Sequence, residues 1–320
     1  MTLLMQAIRF SAVFLYGSTG ETIVEKSGHL NLGIPGIMCI GAVGGCIGAN
    51  MAFGAGMGAF GTIFFAILFA MLFGGAMGLL YGWFTISLRC NQNITGLTIT
   101  TFGAGVLGFW GAMMGKDSSY LLSLVNAAKY FYSPMFGDVG DNWFSQLFLS
   151  YGTLVYLALV IAIIVAIVFK KTRTGLSLTA VGENPAAADA AGINVRKYKY
   201  VSCVLGAAIA GIGGAFYILD YQLGNIEYII DSLGWLAVAL VIFSLWRPAI
   251  GIFGSFIFGL LYILPSYLIN SIQLSLADQE ILKIIPYAVT ALVLIVISFF
   301  NKRETQPPAA LGLSYFREDR

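Results

Sequence analysis

Nine apolar stretches, separated by short polar breaks, run the length of this chain, at approximately 2–18, 34–53, 57–85, 95–114, 149–170, 198–220, 231–246, 249–270 and 284–301. A helix needs about 20 apolar residues to cross the hydrocarbon core of a bilayer, and fewer when it packs inside a bundle. Lipid offers no hydrogen bonds, so the backbone of such a stretch must satisfy itself, and a helix does this within one segment. The pattern predicts an all-α integral membrane protein, a polytopic bundle of about 8–9 transmembrane helices with interrupted segments. The stretch 231–246 is short: it either crosses fully or forms a broken, re-entrant pair of half-helices buried by the rest of the protein. Charged residues make up only 10% of the chain, against about 25% in soluble domains, too few to cover a globular surface.

The charges that exist are sorted. Lys170, Lys171, Arg173, Arg196, Lys197 and Lys199 lie in one segment, opposed by Glu183 and Asp189. Short loops rich in Lys and Arg stay in the cytoplasm, so this loop sets the sides of the membrane. Counting crossings from it places the Arg89 loop and the Trp246-Arg247-Pro248 corner inside. The segment 115–148, the stretch from Asp220 through Glu227 to Asp231, and the loop of Asp278 and Glu280 fall outside. Lys302 and Arg303 end inside, so the N-terminus is external and the C-terminus cytoplasmic. Residues 1–301 form one membrane domain, and 302–320, with Pro307-Pro308, a polar, loosely ordered cytoplasmic tail. The first stretch lacks a basic n-region and a small-residue cleavage pattern, so it reads as a membrane helix rather than a signal. Arg9 lies within it and has the reach to snorkel outward.

The centre of the basic loop encodes a short helix. Asn184 is a good N-cap, Pro185 suits the first helical position, five of the next six residues are Ala, and Gly192 supplies a left-handed stop. A helix of about two turns does not hold alone in water, so it must dock on something. Elsewhere, Gly78/Gly82, Ser202/Gly206, Ala210/Gly214 and Ser255/Gly259 are small-xxx-small pairs that predict close helix contacts. Cys39, Cys46, Cys90 and Cys203 have no CxxC spacing and read as small buried hydrophobes. With His29 as the only histidine, no His-based metal site is expected. No GxxxxGK[ST] phosphate loop occurs, and a net charge of +2 suggests no nucleic-acid role.

Four segments resemble a known family. AVGENPAAADAAGINV from Ala180 is similar to the coupling loop of permease subunits of ATP-binding-cassette importers, of the ribose and branched-chain amino acid branch. GETIVEKSGHLNLGIPGIMCIGA from Gly20 resembles the E-[KR]-S-G-x-x-N-L-G-x-E-G-x-M region of permeases that work with lipoproteins of the basic-membrane-protein type. LRCNQNITGLTI from Leu88 and LGWLAVALVIFSLWRPAIGIFGSFIFG from Leu233 are weaker matches. Pro35 stands where the family carries Glu, so no role is carried over for that carboxylate.

The resemblance implies a non-catalytic permease half of an importer in the bacterial cytoplasmic membrane. It implies a separate ATPase holding ATP and Mg, a second paralogous permease (often a different chain), and an external substrate-binding lipoprotein. Many such systems import nucleosides; simple sugars or branched-chain amino acids are the alternative cargo. The coupling residues it suggests are Glu183, Asn184, Pro185, Ala188, Asp189 and Gly192, with the Ala-rich helix allowing close approach of the ATPase.

For the substrate path the candidates are Glu21, Asn31, Asn91, Gln92, Phe102 and Trp235. Charges at membrane depth are costly and functional by default, and Glu21 and Glu25 share a helix face; the other reading is a wet cytoplasmic turn where they pair with Lys26. Asn31 either faces the path or caps the next span. Asn91, Gln92 and Asn93 either bond a base edge or form a loop and N-cap cluster, and Thr98, Thr100 and Thr101 continue the polar stripe. Phe102, Trp110 and Trp235 either stack on a base or fill the core. An ion-coupled secondary transporter is the rival class. It requires carboxylates inside the spans, whereas nearly all acids here map to loops.

Overall fold

Helices carry every element of the structure, a computed structural model that describes residues 2–137, 142–226, 231–272, 278, 281–282, 284–300 and 306–315. In chain order they are α1 (Thr2–Lys26), α2 (Ile34–Gly54), α3 (Gly58–Gly82), α4 (Gln92–Met114), α5 (Ser118–Tyr132), α6 (Trp143–Leu149), α7 (Thr153–Lys171), α8 (Arg173–Glu183), α9 (Pro185–Ala190), α10 (Val195–Phe216), α11 (Asp231–Phe243), α12 (Pro248–Ile272) and α13 (Ile285–Phe300). Single π turns, Trp83–Ser87 and Tyr217–Tyr221, extend α3 and α10. Among the described residues, 6 helices are long and apolar enough to cross a membrane. Glu227, Glu280, Lys302 and Arg303, used above to assign sides, lie outside the described residues.

α1 forms the axis of the bundle. It extends to Lys26, beyond the expected end at residue 18, and is buried without a break from Phe10 to Glu25. Burial on all sides needs small residues where neighbours cross. A Cβ placed on Gly20 would stand 2.3 Å from the carbonyl oxygen of Gly206 on α10. The other predicted pairs behave alike: Gly78 meets the backbone of Cys203, Gly214 that of Met38, and Gly259 that of Ala7. The helices therefore approach backbone to backbone: α10, α12, α11 and α7 pack around α1, and α2, α3 and α10 pack on one another.

Three expectations change, and two segments gain structure that the sequence left open. Segment 115–148 contains a helix: α5 is capped by Asp117, which accepts from Ser119 N and Tyr120 N. Leu124, Ala127, Ala128 and Phe131, at helical spacing, are buried on its inner face. Asp220 is not in an exposed loop but fully buried in the second π turn, where it pairs with Arg9 at 2.7 Å. Arg9 thus turns inward rather than snorkelling. α11 is 13 residues long, which at about 1.5 Å per residue falls short of a full crossing. It starts with Gly234 against Pro35, at the interrupted start of α2, and its C-terminal turn brings the Trp246 indole to Glu25. The tail is not loose between 306 and 315: Ala310 N donates to Gly182 O, and Gly312 N to Gly28 O.

Candidate functional site: helix α9 and the pinned turn beneath it

α9 follows its written signals. The Asn184 side chain accepts from Ala187 N at 3.0 Å, Pro185 opens the helix, and Gly192 adopts φ +84°. The bonds Gly192 N to Asp189 O and Ile193 N to Ala188 O close the C-terminus. α8 precedes it, an unforeseen helix capped by Thr172, whose hydroxyl accepts from Gly175 N. Ala188 corrects the expectation of an outward Ala surface. It is buried with Val181 and Val195, flanked by Ile193, Tyr198 and Tyr315, and so supports α9 from inside. The exposed positions are Ala186, Ala187, Ala190 and Ala191. Asp189 is held by the Tyr315 hydroxyl, which donates to its Oδ2 at 2.9 Å. Glu183 sits half-buried at the α8–α9 junction.

Beneath α9 lies the break between α1 and α2, residues 27–33. Non-helical backbone inside a membrane bundle must find partners. Here side chains from α1, α3 and α4 supply them, and α10 adds a bond between side chains. Asn31 N donates to Glu21 Oε1 at 3.0 Å, and Leu30 N to Gln92 Oε1 at 2.9 Å. Leu30 O accepts from Tyr81, and Leu32 O from Thr100. The Ser202 hydroxyl donates to that of Ser27 at 2.8 Å.

This geometry sorts the path candidates. Glu21, Asn31 and Gln92 are buried within the chain and brought together at the turn. Asn31 does not cap α2: its Oδ1 accepts from Gly33 N two residues on, and Gly33 is the N-cap. Asn91 caps α4, accepting from Asn93 N and Ile94 N, as one of its two readings held. Glu25 does not sit in a wet turn; it is buried and accepts from the Trp246 indole, a partner sequence reading missed. Acids thus do lie inside the bundle, at Glu21, Glu25 and Asp220. The Thr stripe divides, since Thr100 bonds the turn while Thr98 and Thr101 stay exposed on α4 and bond their own helix. Phe102, on that same face, is 55% exposed, and Trp235 is half-buried on α11. Trp110 is buried edge-on to Tyr120, a core position. No group of three or more His, Cys, Asp or Glu side chains that could hold a metal occurs among the described residues.

Residues 3–297 match the family described as branched-chain amino acid transport system, permease component. The chain is 30% identical to TsgC13 of Haloferax volcanii, a permease whose name assigns it provisionally to glucose ABC transport, over 99% of this chain and 98% of that one. It is 30% identical to the nucleoside ABC transporter permease NupC of Lactococcus lactis subsp. cremoris, over 96% and 94% respectively. The guanosine ABC transporter permease NupQ of Bacillus subtilis is 29% identical, over 78% and 76%. No solved structure matches the chain.

Proposed function

Because the chain belongs to the family of branched-chain amino acid transport system permease components, the membrane subunits of ABC transporters, we propose that it forms half of the translocation path of a nucleoside importer. The observation that carries the cargo class is the likeness, along nearly the whole chain, to a permease named for nucleosides, seconded by one named for guanosine. ATP hydrolysis belongs to a partner ATPase, which docks on the exposed face of α9 around Ala186, Ala187, Ala190 and Ala191. An external binding lipoprotein delivers cargo. A second, related permease completes the path; Lactococcus lactis has both NupB and NupC, which favours two different chains. The face of α4 bearing Thr98, Thr101, Phe102 and the open Gly105 and Gly108 is the side of this chain we assign to that path, with Trp235 from α11.

The orientation follows from the same docking. α9 receives the ATPase, so α8, α9 and the tail segment packed on them lie in the cytoplasm, and the N-terminus of α1, which ends beside them, lies outside. Coupling passes through contact: α8 touches the turn at residue 28, and the turn is bonded to α3, α4 and α10. The test is uptake of labelled nucleosides by the reconstituted complex, with excess glucose, ribose and leucine as competitors. Uptake blocked by unlabelled nucleosides alone supports the reading. Uptake of glucose with no nucleoside uptake would transfer the assignment to sugars, as the likeness to TsgC13 allows.

A further inference from the structure

Beside α9 the structure holds a polar cavity of about 620 Å³. Its walls come from the π turn ending α3, the loop leaving α9, the N-terminus of α10 and the tail at Ser314 and Tyr315. Three cations line it, Arg89, Arg196 and Lys199, against one carboxylate, Asp189. Arg89 is held in the left-handed region at φ +61°, a conformation that costs energy in a residue with a side chain. Arg196 is fixed by its bond to Ser87 at 2.7 Å.

Two buried side chains lining the cavity lack partners among the described residues: Lys199, 3% exposed, at its Nζ, and His29, 2% exposed, at both ring nitrogens. A buried ammonium without a counter-charge is costly, and a buried donor without an acceptor is too. A neutral imidazole offers one N–H donor and one acceptor nitrogen. The first N–H groups of the 22-residue α10 add the positive end of a helix dipole.

We propose that this cavity binds a phosphate-bearing anion, held by Arg196, Arg89 and Lys199 with the start of α10, at the cytoplasmic base of the coupling loop. Guanidinium groups in fixed geometry and a helix N-terminus suit the several oxygens of a phosphate, and the volume holds a small phosphoester. The phosphate belongs either to a soluble cytoplasmic phosphoester or to a lipid headgroup of the inner leaflet. An occupant would join the loop after α9 to the end of α3 and to Tyr315, and so stiffen the mount on which α9 sits.

The full-length chain, purified in neutral detergent without phosphate, is titrated calorimetrically with inorganic phosphate and with glycerol 3-phosphate. In a second arm, native mass spectrometry follows retention of phosphatidylglycerol after extraction from phosphatidylcholine nanodiscs doped with it. Saturable binding in either arm is expected, weakened about tenfold by Arg196→Gln and by Lys199→Met, and unchanged by Lys197→Gln. The first arm alone identifies a soluble ligand, the second alone a lipid. Arg196 is exposed, so its variant keeps the fold even if Lys199→Met does not. No binding in either arm, or equal weakening by Lys197→Gln, would overturn the site, the latter because a diffuse basic surface would then explain the affinity.

Discussion

Gly28 and Gly182 meet backbone to backbone. A Cβ on Gly182 would stand 2.2 Å from the carbonyl oxygen of Lys26 and 3.1 Å from the nitrogen of Gly28. Gly28 itself holds φ +83°, which a residue with a side chain tolerates poorly. The end of α8 therefore bears directly on the turn that ends α1, with no flexible side chain between them to absorb motion. Gly182→Val should leave the protein in the membrane but return ATP hydrolysis by the reconstituted complex to its unstimulated rate. Substrate-stimulated ATPase measured on the variant decides this, and full stimulation would remove the contact from the coupling route.

The cap of α9 gives a graded test of docking. Asn184→Ala removes the acceptor for Ala187 N and should cost about 1 kcal/mol of local helix stability. That corresponds to about fivefold weaker association with the ATPase, read by titrating the labelled ATPase onto permease in nanodiscs. Asn184→Asp keeps the cap and should restore affinity. Ala188→Arg acts differently, because Ala188 is buried: it should lower the thermal stability of the chain itself, seen before any ATPase is added.

The contrast between these residues shows what a linear reading carries. Asn184, Pro185 and Gly192 act on their immediate neighbours, so the helix they bound was readable residue by residue. The glycine crossings were readable too, since a small residue every fourth position leaves few other uses for it in lipid. Ala188 was misplaced because α9 has six residues, too few to display a period that separates inside from outside. Asp220 was read as part of a loop because it follows the last apolar residues of its span; its partner Arg9 is 211 positions away. The anchoring of the tail was invisible, since Ala310 and Gly312 attach through backbone groups that every sequence has. Glu25 lacked its partner for the reason that Asp220 did, as Trp246 lies 221 positions on.

The Arg9–Asp220 pair joins the first turns of α1 to the end of α10. Asp220 is fully buried and Arg9 about a quarter exposed, so loss of Arg9 strands a carboxylate in the interior. Arg9→Leu should destabilise the chain by on the order of 3 kcal/mol, whereas Arg9→Leu combined with Asp220→Leu should recover most of that loss. Fluorescence-detected thermostability in detergent measures both. If the double variant is as unstable as the single one, the pair does more than neutralise its own burial.

The assigned sides of the membrane can be checked with single cysteines, since the native ones at Cys39, Cys46 and Cys203 are buried and Cys90 is half-buried. Against a background with Cys90→Ser, Ser118→Cys at the exposed start of α5 and Ala191→Cys after α9 stand at opposite ends of the bundle. An impermeant maleimide applied to intact cells should label position 118 and spare position 191; permeabilised cells should label both. The Lys and Arg excess around α8–α10 favours the cytoplasm, and the packing of the tail on Gly182 puts loop and tail on one side. Labelling of position 191 in intact cells would invert the bundle and remove α9 from the reach of any cytoplasmic ATPase.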